Sequence, residues 1–141
     1  MRKLFVSFTG LLQEMVNGRV TKEDLADGIF SFGCMREHAL RPWEDETNEV
    51  EWIARDVGDE RAKEIHAQIV EALWVAEAHG RAQYRTDESN SYEKLNVLIV
   101  ANGYPELPCS VEGLHDCGAY SYSGVEDRVR ALGLELEVVY Y

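Results

Sequence analysis

The chain has 141 residues, 45% apolar and 28% charged, with 26 acidic and 14 basic side chains for a formal net charge of -12. That length buries a core without staples, and that composition excludes wholesale disorder. The charge repels nucleic acid and anionic membrane surfaces at long range; it favours basic partners, cations or plain solubility.

Three cysteines do not make an even disulfide framework, which points to reduced thiols and a cytoplasmic setting. No apolar run reaches the roughly 18 residues that a membrane span needs. Arg2 and Lys3 precede an apolar stretch, but Ser7, Thr9 and Gly10 break it. No small-residue cleavage site follows, so no signal peptide is expected.

In residues 1–8, Leu4, Val6 and Phe8 alternate with Lys3, Phe5 and Ser7, which predicts a short strand. Thr9 is placed to cap a helix over 10–16 that Asn17 and Gly18 end. Thr21 is a stronger cap: Asp24 follows at the capping-box spacing, and Glu23 and Asp24 suit the positive end of the helix dipole. Leu25, Ile29, Phe32 and Met35 or Arg36 then recur at helical spacing, which predicts one helix continuing toward Pro42. Gly28 and Gly33 cost about 1 kcal/mol each against Ala in such a helix, so each either permits close packing or marks a break.

Residues 44–60 hold eight acidic residues and one basic residue, Arg55, for a net charge of -7. Asp45 or Thr47 can cap a short helix here, with Val50, Ile53 and Val57 facing inward and Gly58 as its interruption. Asp59 is expected to cap the main helix, 60–84. Ala62, Ile65, Ile69, Ala72, Leu73 and Ala76 form its core stripe, Val70 and Trp74 widen one flank, and Glu60, Glu64 and Glu71 oppose it.

Residues 86–91 read as a polar loop. The run Asn96–Val100 could be a buried strand, yet Ser91 as a cap and the stop at Asn102, Gly103 and Pro105 favour a helix over 92–101. Residues 106–123 are a structured loop, 124–132 a short helix ended by Gly133, and 134–141 the best strand. Its natural partner is the N-terminal strand, since a lone strand leaves backbone groups unpaired. The expected fold is α+β: one mostly helical domain over 1–141, with four to five helices and a small sheet pairing the two terminal strands. An exposed edge of that sheet can also pair with a second copy, giving a homodimer.

Several constellations are candidates for chemistry. Cys34 and His38, with Cys109, His115 and Cys117, could supply four zinc ligands, but no closely spaced cysteine pair supports it, and buried cysteine is the plainer reading. His115, Asp116 and Cys117 are contiguous, whereas members of a catalytic triad converge from separate segments. Tyr104, Tyr120 and Tyr122 could line a small-ligand pocket, with Arg81 and Arg85 as an anion-binding pair. Glu60, Glu64 and Glu71, joined by Glu49, Glu51 or Asp56, could hold a divalent ion in a small metal-dependent hydrolase of the nucleotide pyrophosphatase kind. Their face opposes the core stripe, however, and catalytic carboxylates need shielding. No metal or other cofactor is therefore expected.

The favoured expectation is a non-enzymatic acidic surface. Glu44, Asp45, Glu46, Glu49, Glu51, Asp56, Glu60, Glu64 and Glu71 would imitate a row of phosphates, with Trp52 as an aromatic anchor. The partner would be a basic, nucleic-acid-binding protein surface, blocked as phage-encoded anti-defence (anti-CRISPR-like) inhibitors block theirs. That comparison is one of size and charge. Direct binding to nucleic acid or membrane is not expected.

Overall fold

The computed structural model describes residues 1–31, 55–83, 92–108 and 122–139. Four strands, β1 (Arg2–Phe5), β2 (Ile29–Ser31), β3 (Ala82–Gln83) and β4 (Leu136–Val139), form one sheet in the order β3-β2-β1-β4. The described helices with complete bounds are α1 (Phe8–Val16), α2 (Lys22–Asp27), α3 (Asp59–Ala78), α4 (Tyr92–Ala101) and α5 (Tyr122–Ala131). The fold is α+β, and the terminal strands do pair, with Arg2 opposite Leu136 and Phe5 opposite Val139. Every described pairing is parallel, so each strand needs a crossover to reach the next, and helices supply it.

That geometry explains the residue pattern of β1. Phe5 joins Phe30 and Val139 in a core with α1, α2 and α3. Its neighbours Leu4 and Val6 join Ile29, Leu136, α4 and α5 in a second core. Successive side chains point to opposite faces, and here both faces are covered, as parallel sheets require. The stripe of α3 is buried at Ala62, Ile65, Ile69, Leu73 and Ala76. Each of the larger side chains contributes about 1.5–3 kcal/mol by leaving water. Trp74, expected to widen the stripe, is instead 46% exposed.

The Thr21 cap forms as a complete capping box with Asp24. Its helix is much shorter than the spacing suggested: it stops at Asp27, and Ile29–Ser31 becomes β2. Gly28 is the cause. Its backbone turns extended, and a Cβ there would stand 2.4 Å from Cε2 of Phe5. Only glycine lets the chain pass that close to the ring and start a strand. Phe30 N–H then donates to Arg81 O at 2.8 Å, so sheet pairing overrides helical spacing.

Other boundaries shift by a few residues. Ser7, not Thr9, caps α1 by accepting from Gly10 N–H at 3.1 Å. Strand β1 therefore ends at Phe5 rather than near Phe8. Gly58, at φ 90°, is the N-cap of α3, and Asp59 occupies its first turn. Helix α3 ends at Ala78 and the chain enters β3, which the helical reading of 60–84 had absorbed. Residues 92–101 are helical as expected.

Candidate functional site

Helix α3 carries the part of the acidic stretch that the structure describes. Its carboxyl end leads through Gly80 and Arg81 directly into β3. Twenty residues span about 30 Å, so the amino end of α3 extends toward the carboxyl ends of the strands. Asp59 and Glu60 sit in its first turn, where carboxylates complement the helix dipole. A helical segment at 55–57 precedes it, with Asp56 exposed.

Of the residues expected at the partner surface, Asp56, Glu60, Glu64 and Glu71 are all exposed. Glu44, Asp45, Glu46, Glu49, Glu51 and Trp52 lie outside the described residues. The described acids are not an unbroken row. Glu64 takes an ion pair from Arg61 at 2.9 Å and a hydrogen bond from Gln68 at 3.3 Å. That pair is solvent-exposed and neutralises one carboxylate locally without adding much stability. Among the described residues, Asp56, Asp59 and Glu60 are the acids of segment 44–60, and all three are exposed.

Glu71 has a different setting. Two turns further along α3, it borders a groove between α2 and α3 of about 260 Å³. Lys22 and Arg81 share its rim, while Leu25, Ala72 and Val75 supply apolar lining. Arg81 donates from Nη1 to Gly28 O at 2.8 Å. Among the described residues, none of Lys22, Glu71 and Arg81 takes part in an ion pair. The sequence offers Arg81 and Arg85 as an anion-binding pair; Arg85 lies outside the described residues, and Lys22 shares the groove with Arg81. The signal that could have found this was Gly28, because the break there packs a short α2 against α3.

The remaining candidates are only partly described. Cys34, His38, Cys109, His115, Asp116, Cys117, Tyr120 and Arg85 lie outside the described residues, as does the side chain of Tyr122. Tyr104 is half-buried and lies under the Arg2 guanidinium, 5.8 Å from ring centroid to Cζ. His66 is buried on the inner side of α3, away from Glu60, Glu64 and Glu71. Among the described residues, no three histidine, cysteine or carboxylate side chains gather as metal ligands. No described helix is long and apolar enough to cross a membrane.

The sheet adds a feature that the sequence did not show. Strand order runs outward from β1 through β2 to β3, then returns to place β4 on the other side of β1. The carboxyl ends of β1 and β4 thus flank the point where the winding reverses, and Val6 N–H bonds Val139 O there at 3.2 Å. Helix α1 begins at this edge, its first turn capped by buried Ser7. Comparison with protein-family models, curated proteins and solved structures finds no match to this chain.

Proposed function

We propose that the protein is an acidic, non-enzymatic binding module that occupies a basic, nucleic-acid-binding surface of a larger protein and blocks it. The observation that supports this reading is the exposure of Asp56, Asp59 and Glu60 at the start of a long helix. These acids belong to the segment 44–60, whose net charge is -7. A helix packed onto one face of the sheet holds such carboxylates at fixed spacing, which is what pairing with arginine and lysine requires. The hydrolase alternative has less support, because Glu60 and Glu64 face solvent and Glu64 is engaged by Arg61.

The test uses the full chain as bait against basic proteins of the native host enriched on heparin. Binding should weaken steeply with added salt and be displaced by heparin or duplex DNA. Charge reversal at Glu49, Glu51 and Asp56 together should weaken it by about tenfold or more, the equivalent of roughly 1.4 kcal/mol. Capture that survives both the salt and the reversals would end this reading.

A second reading rests on the sheet. Open parallel sheets bind ligands outside the carboxyl ends of their strands, where the winding reverses. In this chain that place lies between β1 and β4, beside Ser7. A small-molecule ligand there would raise the melting temperature in proportion to its saturation and shift the amide resonances of Val6, Ser7 and Phe8.

A further inference from the structure

The groove between α2 and α3 has a composition that its packing role does not explain. Its floor is apolar, with Leu25 buried, Ala72 half-buried and Val75 exposed. Its rim carries two cations, Lys22 and Arg81, and one carboxylate, Glu71. All three lack an ion-pair partner among the described residues. A protein with 26 acidic side chains has ample means to neutralise two cations, yet these are left open at one apolar depression.

Arg81 is the informative residue. It is half-buried, and one N–H of its guanidinium is fixed on Gly28 O at 2.8 Å. That bond orients the plane while the other donors of the fork remain unspent among the described residues. An oriented guanidinium presents two parallel N–H groups, the geometry that a carboxylate matches in bidentate fashion. Lys22, at the first position of α2, adds a second positive charge. Glu71 argues against a dianion such as phosphate, which it would repel, and so does the apolar floor, which a bare ion leaves uncovered. The volume of about 260 Å³ falls just below the roughly 300–1,000 Å³ of drug-sized pockets, so the ligand is small.

We infer that the groove between α2 and α3 binds a compact apolar monocarboxylate, with the carboxylate on Arg81 and Lys22 and the aliphatic body over Leu25, Ala72 and Val75. This site is separate from the acidic surface at the start of α3, and either can fail without the other. It also lies at the amino edge of the sheet, where Arg81 enters β3, and not at the reversal between β1 and β4.

The experiment titrates the ¹⁵N-labelled full chain with 4-methylpentanoate and, separately, with its neutral analogue 4-methylpentanamide. Saturable amide shifts are expected at Lys22, Gln68, Ala72, Val75 and Arg81, with the neutral amide weaker by about tenfold because the charge-assisted bonds are lost. Lys22→Gln should weaken the carboxylate, and Arg81→Lys, which keeps the charge but not the fork, should weaken it further. Ala26→Phe, at an exposed groove position, should fill the site and remove the shifts. A thermal melt checks that each variant folds, and Lys22→Gln, at an exposed side chain, keeps the test decisive if another does not. The inference is overturned by equal response to acid and amide, by shifts spread beyond the groove, or by no saturation at concentrations on the order of 10 mM.

Discussion

Arg2 and Asn102 meet across 100 positions of sequence: the guanidinium donates to the backbone oxygen and to Oδ1 of Asn102, each at 3.3 Å. The same guanidinium donates from Nε to Asp27 O at 2.8 Å. Asn102 in turn donates from Nδ2 to Gly80 O at 3.1 Å and Leu98 O at 2.8 Å. Two side chains thus tie the start of β1 to the ends of α2, α3 and α4, at the amino edge of the sheet. Hydrogen bonds involving a charged group contribute about 1.5–3 kcal/mol, and neutral ones about 1. Arg2→Ala and Asn102→Ala should each cost about 2 kcal/mol in urea unfolding. The double variant should cost less than the sum, because the shared bonds can be lost only once.

Gly28 offers a sharper test of the fold. A methyl group there would approach Phe5 Cε2 to 2.4 Å and Asp24 O to 3.1 Å. The ring cannot swing away, since Phe5 is fully buried and stacked on Phe30 with centroids 4.9 Å apart. Gly28→Ala should therefore destabilise by about 1–3 kcal/mol through overpacking, even though alanine is the better residue in a helix. If residue 28 were mid-helix, as the spacing of Leu25, Ile29 and Phe32 suggests, the same change would stabilise. The sign of the shift in urea midpoint decides between the two.

This case also shows where the sequence was legible and where it was not. Local chemistry was readable: Thr21 and Asp24 form the capping box, and the buried side of α3 follows its apolar spacing. The pairing of the chain ends was readable too, because an alternating apolar run at each end needs a partner. Strands β2 and β3 were not. Three residues, Ile29–Ser31, are too few to display alternation, and Ala82 and Gln83 have no strand preference of their own. Their conformation comes from neighbours distant in sequence, through Phe30 opposite Ala82. The groove was hidden for the same reason, since Lys22 and Arg81 come together only when α2 stops at Asp27. The acidic surface was visible only as composition, which says how much charge a segment carries and not which carboxylates stay open.

Asn96 is a buried polar side chain with a defined task. Its Oδ1 accepts from Leu107 N–H at 2.7 Å and its Nδ2 donates to Leu107 O at 3.3 Å. Asn96 thereby binds α4 to the segment that follows it and lets Leu107 reach the second core. Asn96→Ala would strip both backbone partners of a residue that is itself buried. The expected loss is about 2–4 kcal/mol, since each unsatisfied buried group costs about 1–3. Hydrogen exchange adds a local readout: the Leu107 amide should lose more protection than amides in α1, on the opposite face of the sheet.

Lys3 gives the protein an alkaline dependence that can be worked out in sign. Burial lowers its pKa, but the hydrogen bond and attraction of Glu137, with the charge of Asp24, outweigh burial and raise it above 10.5. The ammonium lies 3.0 Å from Glu137 and 3.7 Å from Asp24. A raised folded-state pKa adds stability that is complete below the unfolded value and fades as pH rises through the folded one. Lys3→Met keeps most of the apolar stem and removes the charge. It should therefore be less stable than the parent at pH 8, by about 0.5–1 kcal/mol given that Glu137 is half-exposed. That gap should close at a second, more alkaline pH beyond the raised folded-state value, where the parent also loses its ammonium. Urea midpoints of both proteins at the two pH values give the comparison. A gap that stays constant would mean that Lys3 acts through its stem and not through its charge.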